Sequence, residues 1–279
     1  MKMRRATILY LSLFLLLSFL PSCGKKEANF EKKIVHLRLA TTTSLNDSGL
    51  LDVILPPFER DLGVKVDVIS VGTGKALKLG ENGDVDVVIV HAPKAEKEFI
   101  KNGFGVNRRK LMRNDFLILG PKENPAGIKG KDAVKAFRMI SENKATFISR
   151  GDDSGSHKKE KSLWKKAGIT PKGDWYLEAG QGMGATLMMA DEKKAYVLCD
   201  RGTYLAYRDR ISLIPLVQGD PKLINRYSVI AVNPCLHPEV NYVYAMAFIG
   251  WITSPKCQKM IGEFKVKGEV LFHPTACEK

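Results

Sequence analysis

Apolar positions along the chain recur with two different periods. Over residues 34–40, Val35, Leu37 and Leu39 fall on every second position, the pattern of a strand with one face in a core. Leu50, Leu51, Ile54, Leu55, Phe58 and Leu62 then follow at helical spacing. Pro56 and Pro57 lie inside that stripe and cannot donate an N–H, so the helix is expected to kink or restart there. Val64–Val71 reads as the next strand. Residues 86–90, an almost unbroken apolar run, read as a parallel strand buried on both faces. Further strands are predicted over residues 116–119, 146–148, 196–198, 212–217 and 227–232. Helices are predicted over 155–167 and 181–191, and Val240, Val243, Tyr244, Ala247, Phe248 and Trp251 form a further helical face. Repeated β–α alternation argues an α/β fold with mostly parallel sheets, whose ligands sit beyond the carboxyl ends of strands.

The first residues follow a different rule. Lys2, Arg4 and Arg5 precede a nearly wholly apolar run over residues 8–20. At a rise of about 1.5 Å per residue the run spans about 20 Å, short of a bilayer core of about 30 Å, so residues 1–22 read as a signal peptide. Leu20-Pro21-Ser22-Cys23 resembles the bacterial lipobox, although Pro21 is a less usual residue there, and Cys23 is the expected lipidation site. Residues 23–33 are polar and charged and read as a lipidated tether. The remainder is long enough to bury a full core, as one large domain or two modest ones.

The chain carries 44 Lys and Arg against 30 Asp and Glu, a net charge of +14. The cations are scattered, with no aromatic-interleaved basic stretch. Export argues against nucleic acid, so the excess reads as a solvated face with a weak steering field for anions. Cys199, Cys235, Cys257 and Cys277 show no CxxC or Cys/His metal spacing. Their pairing stays open between a disulfide among the last three and free thiols.

Three loops rich in glycine and hydroxyl groups carry the candidate chemistry: Thr41-Thr42-Thr43-Ser44, Val71-Gly72-Thr73-Gly74, and residues 149–157 with Arg150, Ser154, Gly155 and Ser156. Each follows a β-branched run and precedes a helix-like pattern. Free backbone N–H groups and a helix dipole therefore meet there, and glycines let the backbone approach an anion closely. Arg150 adds a permanently charged planar fork. The distance in sequence between the second loop and the third suits a cleft between two lobes. Gly180-Gln181-Gly182-Met183-Gly184 is either a fourth ligand-facing loop, through Gln181 and Met183, or a hinge at a helix start. Thr42, Gly72 and Gly74 are further candidates for anion contact.

Two other chemistries compete. Gly151-Asp152-Asp153-Ser154-Gly155 superficially resembles the surroundings of a serine-protease nucleophile, which makes an exported serine hydrolase an alternative, but the extra aspartate breaks that pattern. Of the five histidines His36, His91, His157, His237 and His273, His91 and His157 sit where a metal ligand could. No paired His/carboxylate spacing supports a cation, so hydrogen-bonded or packed rings are expected instead. No cofactor and no catalysis are expected.

The blocks T-T-T-S, S-G-L-L, V-G-T-G-K-A-L, G-D-V-D-V-V-I-V-H-A, S-R-G-D-D-S-G-S-H-K-K-E and G-Q-G-M-G-A-T-L closely resemble those of the tungstate-binding proteins of tungstate-specific ABC importers. The resemblance runs from about residue 37 to 250. It implies the periplasmic binding protein type II fold: two α/β lobes joined by two crossover strands, with an interlobe ligand cleft. Lobe one would be 34–115 plus 231–279 and lobe two 116–230, with crossovers at 116–119 and 227–232. The ligands it implies for the oxyanion are Thr43, Ser44, Thr73, Arg150, Ser154, Gly155 and Ser156; family members often carry threonine at the last of these. It further implies a monomer, exported to the periplasm or cell surface and anchored by its lipid, that serves an ABC permease and its ATPase. Cys235, Cys257 and Cys277 fall outside the family pattern.

Tungstate fits the loop chemistry because at neutral pH it is an unprotonated dianion whose oxygens only accept hydrogen bonds. Phosphate keeps a proton part of the time and benefits from an acceptor. Asp152 or Asp153 could supply one, or could cap the following helix and orient Arg150; for Asp153 the structural role is favoured. Molybdate and sulfate are satisfied by the same donors, and molybdate is too close in size to tungstate for loop chemistry to separate them.

Overall fold

In the computed structural model, which describes residues 34–278, strands and helices alternate along most of the chain. They are β1 (Val35–Thr42), α1 (Thr43–Asn46), α2 (Leu50–Leu62), β2 (Val64–Val71), α3 (Thr73–Asn82), β3 (Val87–Val90), α4 (Pro93–Lys101), β4 (Gly105–Gly120), α5 (Ala133–Glu142), β5 (Phe147–Ser149) and α6 (Gly155–Ala167). Then follow β6 (Tyr176–Glu178), α7 (Met183–Glu192), β7 (Tyr196–Asp200), α8 (Arg201–Tyr207), β8 (Ile214–Val217), β9 (Ile224–Val232), α9 (Tyr242–Ile252), α10 (Pro255–Glu263), β10 (Lys265–Val266), β11 (Glu269–Val270) and β12 (His273–Pro274). The signal-peptide and lipobox readings lie outside the described residues.

The strands order as β2-β1-β3-β9-β4-β7-β5-β6, with β8 and β12 added to β4. Each wing of this sheet is parallel, as the β–α alternation predicts: β1 with β2 and β3 in one, β5 with β6 and β7 in the other. The middle is antiparallel, where β9 pairs β3 and β4, and β4 pairs β7. The sheet is therefore mixed, because two long strands run through its centre. β4 pairs β9 from Gly105 to Asp115 and pairs β7 from Phe116 to Leu119, so one strand belongs to both wings. Its first half escapes sequence reading because Asn107-Arg108-Arg109-Lys110 shows no strand period; pairing with β9 supplies the order that local pattern lacks.

The core divides accordingly. Under the first wing, Leu37, Leu39, Ile54, Phe58, Val87, Ile89 and Phe248 pack on one face, and Ala40, Ala76, Val88, Val90 and Phe99 on the other. β3 is thus buried on both faces, as its apolar run predicts. Under the second wing, Phe116, Phe137, Phe147, Trp164 and Tyr196 pack together, with Phe137 and Trp164 ring centroids 4.3 Å apart edge to face.

One expectation narrows and another needs correction. α2 runs through Pro56 and Pro57 without a restart. The carbonyls the two prolines leave without donors belong to Asp52 and Val53, both exposed, so water can satisfy them. α9 buries Ala245, Phe248, Ile249 and Ile252, while Val243 is 75% exposed. That helix is apolar nearly all round, so its period alone cannot select a face. Cys199 and Cys257 are buried, Cys235 and Cys277 exposed, and all four are free thiols. Among the described residues no helix is long and apolar enough to cross a membrane.

Candidate functional site

Strand register brings the loops together. Thr42 pairs with Val71 and Thr41 with Ile89 in the parallel first wing. The residues that follow, Thr43, Gly72 and His91, therefore emerge side by side at the carboxyl ends. Thr41 Oγ1 donates to the Ile89 carbonyl at 3.1 Å, and Thr42 Oγ1 and Ser44 Oγ lie 3.3 Å apart in a shared hydrogen bond. Gly72 starts α3 with no side-chain cap, which leaves the first N–H groups of that helix free.

The third loop arrives from the second wing at the end of β5. Ser154 caps α6, its Oγ accepting from the His157 N–H at 3.3 Å, so the N–H groups of Gly155 and Ser156 have no intrahelical partner. Gly151 has φ +65°, and a Cβ there would lie 2.8 Å from Glu178 Cβ, so the turn needs glycine. Arg150, with only 12% of its side chain exposed, lies with Nε 2.7 Å from Asp152 Oδ2. The Nε–H does not aim at that oxygen, so the contact is an ion pair without a hydrogen bond.

These elements border a small, partly open cavity lined by Thr42, Thr43, Ser44, Gly72, Thr73, His91, Arg150, Ser154, Gly155 and Ser156. No carboxylate lines it. Thr73 Oγ1, His91 Nδ1 and Arg150 Nε are fully buried and have no hydrogen-bond partner, and all three side chains line this cavity. A buried polar atom left unpaired costs about 1–3 kcal/mol. Three around one small space mark a place built for a ligand that accepts hydrogen bonds. A Cβ on Gly155 would fall 2.5 Å from His91 Cε1 and 3.1 Å from Thr73 Oγ1, so glycine keeps the space open.

Carboxylates stand behind this cavity rather than in it. Asp152 pairs with Arg150 and accepts from the Ser154 N–H at 3.1 Å, while Asp153 is largely exposed and pairs with Lys158 at 3.2 Å. Glu160, buried on α6, accepts from Ser149 Oγ and Tyr176 OH at 2.8 Å each and from Trp164 Nε1 at 3.0 Å, and so ties β5 to α6. Burial pushes its carboxyl up to about 7 against those donors and the Arg150 backbone N–H. Asp200, also raised by burial, caps α8 by accepting from the Thr203 N–H and hydroxyl.

The structure thus gathers Thr43, Ser44, Thr73, Arg150, Ser154, Gly155 and Ser156 into one cavity, with Thr42 and Gly72 beside them. Three other candidates fall outside it. Gly74, one residue further round α3, is exposed, and a Cβ there would look toward Lys158 Nζ at 3.5 Å. Gln181 is exposed ahead of α7. Met183 opens that helix and turns into the core with Leu117, Ile148 and Leu187; it borders a second, larger cavity that also reaches Thr43, Ser44 and Arg150. The sequence did not single out His91 as an anion contact. The signal for it was the parallel run of β3 beside β1, which ends one residue before it. His157 faces elsewhere: its Nδ1 accepts from the Asp153 N–H at 3.0 Å, so it does not stand as a base for Ser154. Among the described residues no three His, Cys, Asp or Glu side chains converge as a metal site.

Two sheet wings meeting round a donor-lined cavity define a solute-binding protein of the periplasmic type. The PBP superfamily domain matches residues 31–256. The tungstate-binding protein TupA of Peptoclostridium acidaminophilum is 46% identical over 99% of this chain and 100% of its own length. Among solved structures, the tungstate-binding protein TupA from Desulfovibrio alaskensis G20 is 49% identical, covers 87% of this chain and 99% of its own, and superposes with a TM-score of 0.79. The tungstate ABC transporter structure from Geobacter sulfurreducens is 55% identical, covers 82% of this chain and 98% of its own, and gives a TM-score of 0.75. The chain belongs to the PBP superfamily and, within it, to the family of the tungstate-binding protein TupA.

Glu160 makes stability depend on pH. With its folded value near 7 against an ordinary 4.5, the folded chain holds a proton that the unfolded chain has released between those values. Stability should therefore fall as pH rises through that window, by up to about 3 kcal/mol at about 1.4 kcal/mol per unit. In urea unfolding at pH 5 and pH 8, the wild type should lose about 2–3 kcal/mol more than Glu160→Gln. Equal losses in the two proteins would exclude the assignment.

Proposed function

We propose that this chain captures tungstate, with molybdate as the second ligand, between two lobes and delivers it to the permease and ATPase of an ABC importer. The observation that carries the reading is the cavity wall, which offers hydroxyls, uncapped helix N–H groups and one guanidinium but no carboxylate. A dianion that only accepts is satisfied there. Phosphate is disfavoured because Asp152 and Asp153, the acceptors it would need, are turned to Arg150 and Lys158. The names of the relatives support the same ligand.

The lobes of this reading are residues 34–115 plus 231–279 and residues 116–230. β4 and β9 pass between the wings and would serve as the crossovers, and closure about them would bring Arg150, Ser154 and Ser156 onto the loops of the first lobe. Thr43, Ser44, Thr73, Arg150, Ser154, Gly155 and Ser156 hold the oxyanion, and no step of catalysis is assigned to them. The protein acts as an exported monomer, held at a membrane through lipid on Cys23 after removal of residues 1–22.

Calorimetric titration of the mature, tag-free protein with tungstate, molybdate, sulfate and phosphate tests this directly. Tungstate should bind and raise the melting temperature by mass action; the absence of both effects with all four anions would refute the assignment. Arg150→Ala should weaken tungstate binding at least about tenfold, since a charge-assisted hydrogen bond contributes about 1.5–3 kcal/mol and a decade is about 1.4 kcal/mol. Arg150→Lys should recover only part of that loss, because a point charge cannot copy the planar fork. Lys75→Ala should bind nearly as wild type, its side chain being exposed on α3; the reverse ranking would misplace the ligand. Cys23→Ala should move the protein from the membrane to the soluble exported fraction, and continued membrane association with an unprocessed N-terminus would argue against lipidation.

A further inference from the structure

His91 follows the end of β3 and carries none of the roles assigned above. Its side chain is 8% exposed, and Nδ1 is fully buried without a hydrogen-bond partner. The ring lines the same small cavity as Thr73, Arg150 and Ser154. The point where a Cβ on Gly155 would stand is 3.2 Å from Nδ1 and 3.1 Å from Thr73 Oγ1, so the two unpartnered atoms look onto one spot. The ring is held in place from behind. Tyr227 packs on it with centroids 4.8 Å apart, and Asn225, which lines a pocket with the ring, is fixed by donating to Asn114 Oδ1 at 2.9 Å and Tyr227 OH at 3.3 Å.

The charges around the ring are mostly positive. Arg150 comes from the loop after β5, and Lys158 and Lys159 from α6. Lys94 and Glu98 come from α4, and Arg226 from β9. Tyr227 stays a neutral phenol because burial raises it. Burial first, then the fields of Arg150 and Lys159, holds the ring down to about 4, so in the free protein it is neutral at physiological pH. An incoming dianion cancels that cationic field and offers Nδ1 the partner it lacks.

We propose that His91 is a proton-taking ligand of the oxyanion: capture of a dianion draws one proton from solvent onto the ring, and Nδ1–H then donates to a ligand oxygen. One N–H bond forms, no bond in the anion breaks and nothing is oxidised or reduced. The inference rests on the oxyanion reading of the cavity. It gives binding a pH sign: affinity rises as pH falls from the bound-state value of the ring toward its free-state value, and flattens above the former.

The test is calorimetric titration of the mature protein with sodium tungstate between pH 6 and pH 8, in buffers of different ionisation heat. At pH 6 the heat should report about half to one proton taken up per tungstate bound, declining toward zero as pH rises. His91→Gln, which keeps a hydrogen-bonding side chain but cannot be protonated, should take up none. It should bind at least about fivefold more weakly at pH 6, with a flat pH profile. If that variant does not fold, the His91 Cε1–H resonance of the wild type decides: it should move to the imidazolium position when tungstate is added at pH 6. Heat of binding that is independent of buffer across the range overturns this inference alone. Uptake that persists unchanged in His91→Gln also overturns it and assigns the proton to another group such as Glu160. No heat with tungstate at all brings down the oxyanion reading and this inference with it.

Discussion

Parallel strands that end at one level must release their chains at the same place, and in the first wing this sets what the molecule can bind. β1, β2 and β3 are in register, so the residues after them, Thr43, Gly72 and His91, cannot avoid being neighbours. A hydroxyl pair, an uncapped helix start and a buried imidazole then share one wall. The second wing supplies the opposite wall from a single strand end, β5, through Arg150 and the start of α6. Nothing in the cavity depends on a long flexible loop. Within each wing the donors are fixed by strand register and helix geometry, which limits the ordering a bound anion has to impose to the approach of the two walls.

Negative charge in this region is kept behind the donors. Asp152 sits against Arg150, Glu160 ties β5 to α6, and Asp200 caps the neighbouring α8. Each of these carboxylates has oxygens engaged by donors or a cation, and none of them lines the cavity. An anion therefore meets N–H and O–H groups without meeting a carboxylate, while Arg150 remains positioned by a counter-ion that does not take its Nε–H. The same arrangement leaves Glu160 raised by burial, a cost in stability borne above neutral pH for the rigidity of the loop it holds.

Much of this was legible in the sequence because the chemistry is local. Thr43 and Ser44, Thr73, and residues 149–157 announce themselves by hydroxyls and glycines at strand exits, and β3 by its run of buried apolar residues. What could not be read depends on partners far along the chain. Asn107-Arg108-Arg109-Lys110 has no strand period and becomes one only beside β9. The uniformly apolar α9 gave no basis for choosing between the face with Val243 and the face with Phe248. Asp152 and Asp153 were chemically equivalent until Arg150 and Lys158 took one each. His91 was visible as a residue but not as a cavity wall, because the register of β3 against β1 is a tertiary fact.

The place of β9 has a consequence for how the chain acquires its fold. It lies between β3 and β4 in the sheet, although both of those strands end more than a hundred residues before it begins. Until residues 224–232 have been made, β3 presents an open edge and the long first half of β4 has no partner on that side. The first wing, which contributes Thr43, Thr73 and His91, therefore cannot complete its sheet without a strand that follows most of it in the chain. Such non-local pairing is slow to form. The protein that emerges is one whose amino-terminal half must wait, unfinished, for a strand from the far end of its own sequence.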